Sequence, residues 1–136
     1  MRSALSVLLI ALLASCSYEQ VPVVASDVNI SKPMPGISMT AGYLTLTNNT
    51  SQAITITHIT SPQFASVEMH ETVLEDGMVH MYPLSGLTML PSTTVKFEPG
   101  GKHLMLEDPI GDVDTMVLDF HAGKAIVLTV NVALAD

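Results

Sequence analysis

The chain has no tryptophan, three phenylalanines, three tyrosines and a single cysteine, and it sets only five Lys and Arg against thirteen Asp and Glu in 136 residues. Each shortage excludes something. The lone Cys16 allows no intrachain disulfide and leaves no thiolate further along the chain to hold a metal. A net charge of −8 without a basic cluster argues against nucleic acid as a partner and against electrostatic attachment to anionic lipid. No Ser/His/Asp set and no paired carboxylates stand at a recognisable catalytic spacing, so an enzyme is not expected. No segment sustains a 3.6-residue period, which argues against a helical domain. The length suits one domain with one core.

The first residues read as an address. Arg2, the apolar run from Ala4 to Leu13 and the small residues up to Cys16 have the make-up of a secretory leader, too short to remain as a membrane span. Leu13-Ala14-Ser15-Cys16 resembles the lipobox of bacterial lipoproteins, in which the leader is cut before a cysteine that then carries lipid. The expected division is a signal peptide over 1–15, a lipidated Cys16 and tether over 16–27, and a folded domain over 28–136. Ser17 in place of Asp resembles the sorting pattern for the outer membrane. The protein is thus expected on the periplasmic side of a bacterial membrane, held by its lipid alone.

From Val28 onward the patterning is that of strands. Leu44 and Leu46 alternate with Tyr43, Thr45 and Thr47, and Asn48-Asn49-Thr50-Ser51 supplies a turn before Ile54 and Ile56, which predicts a hairpin between these two runs. His58 is expected to continue the face of Ile54 and Ile56. Val95 and Phe97 share a side, Pro99-Gly100-Gly101 turns the chain, residues 107–111 are expected to be loop, and two long alternating runs follow over 115–120 and 125–134. Seven to nine short runs with a period of two predict an antiparallel β-sandwich or barrel.

Chemistry concentrates between His70 and Met105. Asp76-Gly77 is the favoured two-residue hairpin loop, and it joins the runs 70–75 and 78–83. With that turn Glu75 pairs with Met78 and Thr72 with Met81, so His70 and Met81 become diagonal neighbours on one face, roughly 7–8 Å apart. His103 and Met105, one residue apart, point to one side of any strand they occupy. Two imidazoles and two thioethers form a soft, uncharged ligand set, which suits Cu(I). His58, His80, His121 and Met78 have no such spacing and are read as structural, while Met34, Met39 and Met89 fall in loops or at loop edges, where they could line a metal entry and are not counted as ligands. The acidic group Glu107, Asp108, Asp112 and Asp114 lacks the spacing of a calcium loop.

Val67-Glu68-Met69-His70-Glu71, Gly77-Met78-Val79-His80-Met81 and Gly101-Lys102-His103-Leu104-Met105-Leu106 together resemble the periplasmic copper chaperones of the PCuAC family, whose signature is His, ten residues, Met, twenty-one residues, His-x-Met. The resemblance runs from Ala41-Gly42-Tyr43-Leu44 to Leu118-Asp119-Phe120-His121. It departs before Ala41, where relatives commonly carry Trp and Arg. The resemblance implies a cupredoxin-like Greek-key sandwich and one Cu(I) per chain on His70, Met81, His103 and Met105. It also implies a monomeric carrier that delivers copper for assembly of the dinuclear centre of cytochrome c oxidase, to the oxidase subunit itself or through a thiol-bearing assembly factor. A blue-copper electron carrier would need Cys beside two His, and Cys16 lies in the lipobox. A lipid-anchored scaffold or adhesion module without metal transfer is the alternative.

Overall fold

Alternation makes the strands, and long-range pairing decides their neighbours. The computed structural model describes residues 21–136. Residues 1–15 and Cys16, the predicted leader and lipidation site, lie outside this range. The strands are β1 (Val23–Ile30), β2 (Met39–Asn48), β3 (Ile54–Ile56), β4 (His58–Thr60), β5 (Phe64–Glu75), β6 (Met78–Pro83), β7 (Leu87–Met89), β8 (Thr94–Phe97), β9 (Lys102–Pro109), β10 (Thr115–Ala122) and β11 (Ala125–Ala133). Among the described residues there is no helix.

Nine strands form one antiparallel sheet in the order β1-β2-β9-β5-β4-β10-β11, with β6 on β5 and β8 on β2, while β3 and β7 pair separately. The ends of the large sheet meet: Ala135 N–H donates to the Ile30 carbonyl at 2.9 Å, and Lys32 N–H donates to the Ala135 carbonyl at 2.8 Å. The sheet is therefore nearly closed, a cupredoxin-like Greek-key barrel. Its interior is filled by the inward halves of the alternating strands, including Leu44 and Leu46 of β2, Leu104 and Leu106 of β9, and Leu118 and Phe120 of β10.

Several expectations change here. The run at β2 does not form a hairpin with β3; β2 pairs with β1, β8 and β9, and β3 pairs with β7. Asn48 is the reason the chain leaves the sheet there. Its side-chain amide donates to the carbonyls of Gln52 (2.8 Å), Met89 (3.1 Å) and Leu90 (3.2 Å), tying the end of β2 to the second sheet. His58 does not continue the face of Ile54 and Ile56, because the chain changes sheets between β3 and β4 and it is Ile59 that turns inward. Residues 107–109 belong to β9 rather than to a loop.

The folded domain also starts earlier than residue 28. Val23 is fully buried and pairs with Asn48, so residues 23–27 are strand and not tether. A bulge hid them: the register shifts between Ser26 and Asn29, where Asp27 takes a positive φ of 52°. The buried positions then pass from odd to even numbers, and no single alternation survives.

Candidate metal centre

The β5–β6 hairpin has the geometry that its turn dictates. Asp76 and Gly77 both hold positive φ, 51° and 76°, as a type I′ turn needs. Glu75 pairs with Met78 and Thr72 with Met81, the register expected from the sequence. On its other side β5 pairs with β9, and there His70 stands directly opposite His103 and Glu68 opposite Met105. Cross-strand partners share a face, so Glu68, His70, Thr72, Met81, His103 and Met105 all lie on one side of three adjacent strands. His70 is the hub, with His103 beside it and the two methionines on opposite diagonals.

The rings of His70 and His103 have centroids 5.8 Å apart and planes inclined by 48°. Two imidazoles donating to one ion over bonds of about 2 Å set their ring centres roughly 5 to 6 Å apart. The spacing fits. His103 is 5 % exposed although it points away from the inward-facing Leu104 and Leu106. Met105 is half-buried, whereas Met81, on the outer strand β6, is 49 % exposed.

Hydrogen bonding uses one nitrogen of each ring and leaves the other bare. The Nε2 of His70 lies 2.9 Å from Glu68 Oε2, and the Nδ1 of His103 lies 3.2 Å from the carbonyl of Gly101. The remaining nitrogens, His70 Nδ1 and His103 Nε2, are buried without a partner among the described residues. A buried polar atom without a partner costs about 1–3 kcal/mol. Two on facing residues are therefore a feature that asks for a ligand, and an ion bound by both nitrogens removes the cost. Among the described residues no three His, Cys, Asp or Glu side chains gather closely enough to hold a metal. On the same face Met81 and Met105 lie on the two diagonals from His70, so thioether sulfur is the further soft donor that the register brings to this place.

The other histidines are satisfied elsewhere. His58 and His121 are cross-strand partners with rings stacked 4.2 Å apart, each bound to a threonine hydroxyl, Thr57 and Thr60. His80 stacks on Tyr82 on the face of the hairpin opposite Met81. Met89 is core, and Asp114 pairs with Lys32 at 2.9 Å. Glu68 is the residue that sequence reasoning passed over. Its signal was present, because a residue two positions before a strand histidine shares its face.

Fold and site together define a small cupredoxin-like barrel with a pair of buried, bare imidazole nitrogens on a sheet face that also carries Met81 and Met105. Within that class the chain belongs to the LpqE-like family, described as "Putative lipoprotein LpqE-like", whose model matches residues 23–134. A protein of Rickettsia prowazekii without an assigned role is 28% identical over 104 residues, covering 74% of this chain and 58% of that one. The "Putative lipoprotein Lxx21020" of Leifsonia xyli subsp. xyli is 33% identical over 86 residues, 60% of this chain and 52% of that one. The aligned part thus spans little more than half of either relative.

Among solved structures, the copper-bound PCuAC domain from PmoF2 superposes with a TM-score of 0.62 at 21% identity, covering 83% of this chain and 92% of that one. Apo-DR1885 from Deinococcus radiodurans superposes with a TM-score of 0.58 at 25% identity, covering 98% of this chain and 91% of that one. These likenesses show the fold, that of PCuAC domains.

Proposed function

We propose that this domain is a copper carrier of the bacterial cell envelope, binding one Cu(I) through His70, His103, Met105 and Met81. The observation that carries the reading is the pair of buried, unpartnered nitrogens on facing residues, His70 Nδ1 and His103 Nε2. The chemistry of the set supports Cu(I) over its rivals. Zinc is ordinarily held by thiolate, imidazole or carboxylate, and blue copper needs a thiolate, whereas thioethers select Cu(I). The PmoF2 domain, on the same fold, has been solved with copper bound, which supports copper as the metal.

Transfer follows from the same donors. A d10 ion imposes no strict polyhedron, and neutral thioethers hold it less firmly than a thiolate does, so exchange runs toward a cysteine-bearing acceptor. The exposure of Met81 gives that acceptor a donor to displace first. The acceptor we favour is the copper-receiving subunit of cytochrome c oxidase, reached directly or through a thiol-bearing assembly factor. Lipid on Cys16 would hold the carrier at the periplasmic side of a membrane, the outer membrane in a bacterium with two; the lipoprotein naming of the family supports the anchor.

Competition titration against a Cu(I) chelator tests the reading. The domain takes one equivalent of Cu(I); His70→Ala and Met105→Ala weaken binding at least tenfold, and His58→Ala leaves it unchanged. Equal affinities for all four proteins would overturn it, and no stoichiometric binding would favour the anchored scaffold or adhesion module.

A further inference from the structure

The two candidate imidazoles offer different nitrogens, and each choice is enforced by an acceptor. A carboxylate oxygen only accepts, so the 2.9 Å contact between His70 Nε2 and Glu68 Oε2 requires the ring proton to sit on Nε2. In the neutral ring the lone pair then belongs to Nδ1, the buried atom without a partner among the described residues. A backbone carbonyl likewise only accepts, so the contact of His103 Nδ1 with Gly101 at 3.2 Å puts that ring's proton on Nδ1 and its lone pair on Nε2, again the buried bare atom.

The Gly101 carbonyl is itself fixed. It accepts the Thr72 N–H at 3.0 Å, and Gly101 N–H donates to the Glu98 carbonyl at 3.0 Å across the turn. For His103 the backbone sets the tautomer. For His70 a side chain sets it, and that side chain is open to substitution: Glu68 is 53 % exposed, so its loss opens no hole in the core.

From this we infer that Glu68 is a positioning residue for the copper centre, holding the His70 proton on Nε2 so that Nδ1 of His70 and Nε2 of His103 form a mixed donor pair. This rests on the Cu(I) reading given above. Without the carboxylate the neutral His70 ring distributes its proton between both nitrogens, and in the Nδ1–H form it aims an N–H where a cation must go. Outer partners of metal-binding histidines typically change affinity by roughly 10- to 100-fold.

The test joins a measurement on the metal-free protein to one with copper. Long-range proton–nitrogen spectra of 15N-histidine-labelled protein at pH 8 report the tautomer of each ring. The wild type shows His70 as the Nε2–H form and His103 as the Nδ1–H form. Glu68→Ala converts His70 to a tautomer mixture, leaves His103 unchanged and weakens Cu(I) at least tenfold in chelator competition. Glu68→Gln, whose amide oxygen still accepts the Nε2–H, restores most of both. A wild-type His70 protonated on Nδ1, a tautomer indifferent to Glu68→Ala, or an altered tautomer with unchanged affinity would each overturn the inference. Failure of the copper reading is distinguishable, because the wild type would then bind no Cu(I) before any variant is compared, while its metal-free spectra still report the two tautomers; that result removes the positioning role along with the copper.

Discussion

At the scale of single residues, the domain treats its few buried polar groups in two opposite ways. Asn48 is fully buried and saturated: its amide donates to three carbonyls, and its Oδ1 accepts from Thr50 N–H at 2.9 Å and Thr50 Oγ1 at 2.8 Å. Removing it strands those groups, so Asn48→Ala should cost about 2–3 kcal/mol, measured by urea unfolding. A loss below 0.5 kcal/mol would mean that water takes over the bonds, by the same measure of roughly 1 kcal/mol per net hydrogen bond. His70 and His103 are left unsaturated at one nitrogen each. Replacing His103 by Phe removes that burden, and the expected outcome is a domain no less stable than the wild type with its Cu(I) affinity gone. A functional site that is strained by its own bare donors gains stability when they are removed, and a marked fall in melting temperature would contradict this.

At the scale of elements, the proposed centre spans three neighbouring strands of unequal rigidity. β9 lies inside the sheet between β2 and β5, while among the described residues β6 pairs with β5 alone. Met105 therefore sits on a fixed strand and Met81 on a free-edged hairpin. Met105→Ala should lower Cu(I) affinity more than Met81→Ala, and Met81→Ala should chiefly speed copper release, read by stopped-flow transfer to a chelator. Equal effects on affinity would show that the hairpin is as rigid as the sheet. The turn sets the hairpin, and Gly77 at φ 76° has open space where a Cβ would go. Gly77→Ala therefore meets no clash, and its cost, about 1–2 kcal/mol, is that of the left-handed backbone alone.

What could be read in advance divides along the same line. The hairpin register and the shared face of His70 with Met81 and of His103 with Met105 follow from the period of two and one tight turn, both local properties. The facing of His70 and His103 is a pairing of β5 with β9, and alternation names a residue's face without naming its neighbour strand. The same gap explains the hairpin expected between β2 and β3, which gave way to β1, β8 and β9 as partners of β2. The Asp27 bulge concealed the beginning of β1 because it reverses parity in mid-strand. Glu68 was legible as a neighbour of His70, but the hydrogen bond that makes it consequential needs side-chain geometry.

At the scale of the whole molecule, the barrel is nearly closed where the chain leaving β1 meets the residues that follow β11. Lys32 pairs with Asp114 at 2.9 Å and Asp136 at 2.8 Å, next to the bridge between Ser31 and Ala135. The hydrogen bonds to Asp136 and then Asp114 push the Lys32 ammonium above its usual range, and the bond from Lys32 holds the Asp136 carboxyl below its own. A lowered carboxyl contributes stability above its unfolded value of about 3.9 and loses it as pH falls through the folded value; a raised ammonium contributes below about 10.4 and loses it as pH climbs through the folded value. The clasp is solvent-exposed, so its effect is small. Lys32→Met should lower the melting temperature slightly across a plateau from about pH 5 to 9, and the difference should fade as pH falls below about 3.9 and through the lowered folded value of Asp136. A difference that persists in acid would assign the loss to packing of the lysine stem.

The central claim is that imidazole nitrogen and thioether sulfur meet on one monovalent copper at the junction of β5, β6 and β9. X-ray absorption spectroscopy of the Cu(I)-loaded domain tests it most directly. The account predicts nitrogen and sulfur scatterers together in the first shell, with the sulfur contribution lost when Met81 and Met105 are both replaced by alanine. A first shell of nitrogen and oxygen alone in the wild type, or sulfur scattering that survives the double replacement, would contradict it.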